Sequence, residues 1–134
     1  LRAPLAPALL LLLATGCEPA TLSELQEDFF TPTCAVEGCH GDFLAGRDLN
    51  LSDGISYGAT VDVAAQEPGY TLVVPGDPDS SLLYLVLLGP IFGDGEDQTQ
   101  TLGQMPPRVG SDPGMTQQQL SAVRSWIADG AQDN

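Results

Sequence analysis

The chain has 134 residues, 43% of them hydrophobic and 16% charged, which is enough for one domain with a modest core and too little for two. It has no lysine, and after residue 17 only Arg47, Arg108 and Arg124 stand against all eighteen acidic residues, a formal balance of −15. A field of that sign repels nucleic acid and anionic head groups, so a nucleic-acid role is excluded and a partner with a basic surface is favoured.

The first segment, "LRAPLAPALLLLLATGC", places Arg2 ahead of an apolar run that ends at Ala14, with small residues before Cys17, which is the layout of a secretory signal. About a dozen apolar residues cannot cross a hydrocarbon layer of roughly 30 Å, so the run is not expected to remain as a transmembrane helix. Its end, "LATGC", resembles the lipobox of bacterial lipoproteins, in which the cysteine becomes the acylated first residue. The resemblance implies a signal peptide over residues 1–16, lipid on Cys17, and an exported protein held on a membrane in the periplasm or at the cell surface. The plainer alternative is an ordinary signal peptide cut nearby, with Cys17 left as a free thiol.

A single domain is expected over residues 17–134. In "TLSELQEDFF", Thr21 and Glu24 have the spacing of a capping box, and Leu22, Leu25 and Phe29 fall on one helical face; Pro32 is expected to end this helix before Cys34. Residues 41–74 are rich in Gly and Asp without a sustained period, so a loop is expected there with a short helix or an extended piece, "TLVV" being the extended candidate. Pro75 to Pro78 reads as a turn, after which "SSLLYLVLLG" reads as a helix capped by Asp79 or Ser80. Residues 90–114 are rich in Pro and Gly and read as one long loop. Within it, Asp94, Glu96 and Asp97 supply hard oxygens but lack the spacing of a calcium loop, so a solvated loop is the expectation. "TQQQLSAVRSWIADG" closes the chain with Thr116 and Gln119 as a second capping box, Leu120, Val123 and Ile127 on one stripe beside Trp126, and Gly130 as the stop. The expected core draws on Phe29 or Phe30, Leu82, Leu85, Val123 and Trp126, and the expected class is all-α, a few helices joined by long Gly/Pro loops.

The chemistry is concentrated in "CAVEGCH", where Cys34 and Cys39, two of the three cysteines, precede His40, the only histidine. A catalytic Cys–His pair would use one thiol and leave the other without a role. A tetrahedral zinc site calls for four ligands, and the segment supplies three. A disulfide between Cys34 and Cys39 suits an exported protein but leaves His40 unexplained. Covalent haem attachment uses all three groups: two thiols add across two vinyl groups, and the histidine after the second cysteine lies under the iron as an axial ligand. The four residues between the cysteines, where two are usual, can bulge outward, with Gly38 permitting the return. A second axial ligand cannot be another histidine, which leaves Met105 and Met115. Met105, in the proline-stiffened "GQMPPR", is not explained by helix packing, whereas Met115 precedes a capping box and reads as its hydrophobic staple.

"FFTPTCAVEGCHG", "VVPGDPDSSLLYLVL", "MPP" and "LSAVRSWIADGA", in that order over residues 22–131, resemble the cytochrome c-like domains of exported planctomycete and myxobacterial proteins. The resemblance implies a cytochrome c-like fold around one haem c, with the first and last helices crossing, Cys34 and Cys39 as attachment sites, and His40 and Met105 as axial ligands. The function it implies is transfer of single electrons to and from a redox partner protein, not catalysis. Two other readings stay open: a haem sensor or enzyme with an open sixth position, and a haem-free, disulfide-stapled binding module.

Overall fold

The computed structural model describes residues 18–41, 48–92, 100–108, 110–111 and 114–134. The signal segment with Cys17, Arg47, and the acidic trio Asp94, Glu96 and Asp97 lie outside the described residues.

Helix α1 (Leu22–Leu25) starts at the expected capping box: Thr21 Oγ1 accepts from Glu24 N–H, and Glu24 Oε2 accepts from Thr21 N–H at 2.8 Å. These bonds to Thr21 hold the exposed Glu24 carboxyl below the usual carboxylate range. Pro32 does not end the helix. The chain passes directly into a π-type segment (Gln26–Cys34) with Pro32 inside it, and the next N–H, from Ala35, reaches back to Phe30 O at 2.7 Å. The wider turn gives the proline ring room that an α-turn denies it, so helical structure continues as far as Cys34.

The 41–74 region contains α2 (Ser56–Thr60) and a set of isolated bridges, Val61 to Val73, Ala64 to Thr71 and Thr71 to Ser81. "TLVV" is therefore extended, as expected, and Leu82 and Leu83 donate their N–H groups to Thr71 O and Leu72 O, which joins it to the next helix. Helix α3 (Leu82–Leu88) follows a 3₁₀ turn (Pro78–Ser80) capped by Asp77, whose carboxylate accepts from Ser80 N–H. Neither Asp79 nor Ser80 caps α3. Ser81 occupies the N-cap, and its buried hydroxyl turns instead to the preceding loop, donating to Asp77 O and accepting from Val74 N–H, each at 2.8 Å.

The long loop is not wholly irregular, because β1 (Ile91–Phe92) and β2 (Gln100–Leu102) form a small antiparallel pair. Among the described residues the other regular elements are helices, so the structure is mainly helical with one small strand pair, which the all-α expectation did not include. Helix α4 (Gln117–Ala128) has its capping box as expected, with Thr116 Oγ1 accepting from Gln119 N–H and Gln119 Oε1 accepting from Thr116 N–H. It ends in a Schellman arrangement: Ala131 N–H bonds to Trp126 O and Gly130 N–H to Ile127 O, with Gly130 at φ +103°.

The core joins α1 and its π extension to α3 and α4. Leu22, Leu25, Phe29, Phe30, Val73, Leu83, Tyr84, Leu87, Val123, Trp126 and Ile127 form one buried cluster, in which the rings of Phe29 and Phe30 lie 5.5 Å apart. Leu85 is only half-buried, because on a helix that starts at Leu82 the inward stripe falls on Leu83 and Leu87. α1 packs against α4, and their ends are tied by polar bonds: Ala20 N–H donates to Ser125 Oγ, and Leu22 N–H donates to Asn134 Oδ1. Among the described residues, no helix is long and apolar enough to cross a membrane.

Candidate functional site

His40 is placed by a short run of backbone bonds that follow from where the π segment stops. With Cys34 as its last residue, the Cys34 carbonyl is free to accept from His40 N–H at 3.0 Å, while Cys39 N–H bonds to Val36 O at 3.0 Å. The four intervening residues form an outward turn, with Val36, Glu37 and Gly38 exposed and Gly38 at φ +78°, the left-handed conformation that glycine adopts without strain. The chain then meets the segment 49–52. Leu51 N–H donates to His40 O at 2.7 Å, and the His40 ring meets Leu49 O through Nδ1 at 3.0 Å. A carbonyl can only accept, so Nδ1 carries the proton, and Nε2 is the nitrogen that keeps a lone pair for a metal.

Met105 reaches the same place from the loop that follows β2. The last carbonyls of a short helix lack intrahelical partners, and those of α3 are taken by the long loop: Met105 N–H donates to Val86 O at 2.8 Å, and Gln104 Nε2 donates to Leu87 O at 3.2 Å. Met105 is thereby held beside α3, partly buried against the core.

His40 and Met105 line one cleft of about 220 Å³. Its walls are mostly aliphatic: Leu82, Leu83 and Val86 of α3, Leu102 of β2, and Ala59, Val63 and Leu72 opposite. Polar groups gather at one edge, where Gln66 donates to Asp48 Oδ2 at 2.9 Å and Glu67 lies alongside. A larger cavity of about 410 Å³, between α1, α2 and the C-terminal residues, is polar and lined by no histidine, cysteine or methionine. Its size is therefore no guide to the chemistry. Met115, the other candidate, packs on the core together with Leu120, as a hydrophobic staple should, and takes no part in the cleft.

The two thiols differ from each other. Both Cys34 and Cys39 are free; Cys34 is half-buried against the core and Cys39 is exposed. Burial, with a smaller contribution from Cys39, pushes the Cys34 thiol up to about 12. Neither sulfur belongs to the cleft wall, so the structure brings His40 and Met105 together and leaves both cysteines outside the lining. Among the described residues, no three His, Cys, Asp or Glu side chains converge on a point where they could hold a metal ion.

The cleft offers an imidazole with Nε2 available and a thioether on mostly aliphatic walls, donors of the kind a haem iron takes, while the two thiols next to His40 in the chain stand outside its lining. Leu49, which lines the cleft and holds the His40 ring, and Gln26, Ser52 and Gln104, which hold the backbone around these groups, are not marked by the sequence pattern. Gln26 is the clearest omission. It opens the π segment directly after α1, next to the apolar stripe, yet it is 5% exposed and bonds to Leu51 O, Thr31 Oγ1 and Ser56 Oγ. A glutamine interrupting an apolar face was the available signal. Compared with protein-family models, curated proteins and solved structures, the chain matches none.

Proposed function

We propose that the protein is an exported, membrane-anchored c-type cytochrome of cytochrome c-like fold that carries single electrons. The observation that carries this reading is that His40 and Met105, far apart in the chain, line one apolar cleft, with His40 Nδ1 engaged by Leu49 O so that Nε2 is left to ligate. Haem c, when bound, supplies a one-electron iron couple. Cys34 and Cys39 would hold the porphyrin edge as thioethers, and His40 Nε2 and the Met105 sulfur would be the axial pair. Leu82, Leu83, Val86 and Leu102 would keep water from the iron, which favours electron transfer over ligand chemistry. The acidic surface would draw a redox partner with a basic face at a salt-dependent rate. Lipid on Cys17 would keep the exchange at a membrane surface.

The test is the visible spectrum of the protein produced with a haem-attachment system, before and after reduction, on native and on denatured material. The expected result is a sharp reduced α band that stays with the denatured chain, and loss of the low-spin signature in Met105→Ala. A Met105→Ala spectrum identical to wild type would point to a haem with an open sixth position. A colourless wild-type protein with Cys34 joined to Cys39 would replace the reading with the stapled binding module.

A further inference from the structure

We propose that Gly41 is a positioning residue for the axial histidine: the absence of a side chain there lets His40 be clamped between the end of the first helix and the segment 49–52. The inference rests on the reading that His40 ligates a haem iron. A Cβ on Gly41 would overlap the carbonyl carbon and oxygen of Ala35 and come within 3.0 Å of Val36 N. These are backbone atoms, and they are held, because Ala35 N–H is bonded to Phe30 O at 2.7 Å. They cannot swing aside as the tip of a side chain could.

The opposite side is equally occupied. Ser52 Oγ donates to Gly41 O at 3.2 Å, Leu51 N–H donates to His40 O at 2.7 Å, and Leu49 O takes the Nδ1 proton of the ring. A side chain at 41 must therefore displace either the 35–36 backbone or the 49–52 platform; His40 is bonded directly to the platform, and its N–H is bonded to Cys34 O, the carbonyl just before Ala35. Six of the left-handed glycines among the described residues, Gly38, Gly54, Gly69, Gly76, Gly110 and Gly130, show the contrast, since a Cβ at any of them would meet nothing within 4 Å; at the seventh, Gly114, it would meet only the end of the Arg108 side chain. Their requirement is one of backbone conformation, whereas at Gly41 it is one of space.

The experiment uses the full chain, produced with a haem-attachment system, as wild type, Gly41→Ala, Ser52→Ala and Gly58→Ala. Gly58 lies in α2, where a Cβ meets nothing within 4 Å, and its variant is expected to match wild type. Covalent haem is read by mass after denaturation, and iron ligation by the low-spin visible signature with and without added imidazole. Gly41→Ala is expected to keep its covalent haem but lose most of the low-spin signature, with added imidazole restoring it; Ser52→Ala is expected to lose a smaller part. A Gly41→Ala protein with the wild-type spectrum, or a loss that imidazole does not restore, overturns the positioning role and leaves the cytochrome reading standing. If Gly41→Ala does not accumulate, Ser52→Ala decides, and an unchanged spectrum there overturns the proposal. A wild-type chain without covalent haem overturns the haem reading, and this inference with it.

Discussion

Replacing Gln26 with methionine removes a buried polar hub while preserving side-chain length and shape. Gln26 Nε2 donates to Leu51 O at 2.9 Å and to Thr31 Oγ1 at 3.0 Å, and its Oε1 accepts from Ser56 Oγ at 2.7 Å. Thr31 is exposed and can turn to water, so its bond counts for little. Leu51 and Ser56 are each only 2% exposed, and their polar groups would lose this partner without access to water. Each buried group left unpaired costs about 1–3 kcal/mol, so Gln26→Met is expected to lower stability by about 2–4 kcal/mol. Denaturant unfolding measures this as a lower midpoint at unchanged slope. Adding Ser56→Ala removes one of the orphaned groups and should recover about 1 kcal/mol, a coupling readable as a double-mutant cycle. Because Leu51 also donates to His40 O, the same variant should weaken the low-spin signature of the haem-loaded chain. A Gln26→Met protein within about 0.5 kcal/mol of wild type, or strictly additive single and double variants, would refute the reasoning.

Two further outcomes follow from the thiol and from the last helix. In the chain with Cys34 free, its thiol is raised from an ordinary 9.0 to about 12, so its contribution to stability is fully present below about pH 9 and is lost as the pH climbs from there toward 12. At about 1.4 kcal/mol per unit, and allowing for the solvent that still reaches a partly exposed thiol, the loss should come to about 2 kcal/mol, visible as a steeper alkaline fall in unfolding free energy for wild type than for Cys34→Ser; parallel profiles would count against the burial. Thr116→Ala removes the hydroxyl that accepts Gln119 N–H at 3.1 Å and should cost about 1 kcal/mol, while Thr116→Ser should stay close to wild type in thermal midpoint; an equal loss in both would show that the cap is not the source.

The parts of the fold that rest on neighbours three or four residues apart were legible before any coordinates. Both capping boxes are relations between residues i and i+3, so Thr21 with Glu24 and Thr116 with Gln119 appear in the structure as expected. The stripe of Val123 and Ile127 with Trp126, and the stop at Gly130, are local in the same sense. Where a rule of local propensity met a tertiary constraint, the constraint prevailed. Pro32 sits inside a helix because a π turn accommodates it, and Ser81, not Asp79 or Ser80, takes the N-cap because its buried hydroxyl also bonds the turn before it. The pair of short strands in the long loop was hidden because two residues facing three carry too little period to register.

The candidate site divides along the same line. The sequence by itself determined which groups are available: one imidazole, two thiols near it and two thioethers, on a strongly acidic chain. Only the tertiary structure decided that Met105 and not Met115 shares a cleft with His40, since that depends on the orphan carbonyls at the end of α3 capturing the loop through Met105 N–H and Gln104 Nε2. It likewise decided that Leu49 O orients the imidazole and that the Ala35 carbonyl leaves no room beside Gly41. A side chain's identity is carried by its own position in the chain, but the carbonyl or amide that orients it is common to every residue. No local pattern marks which one will be near, and only packing brings it there.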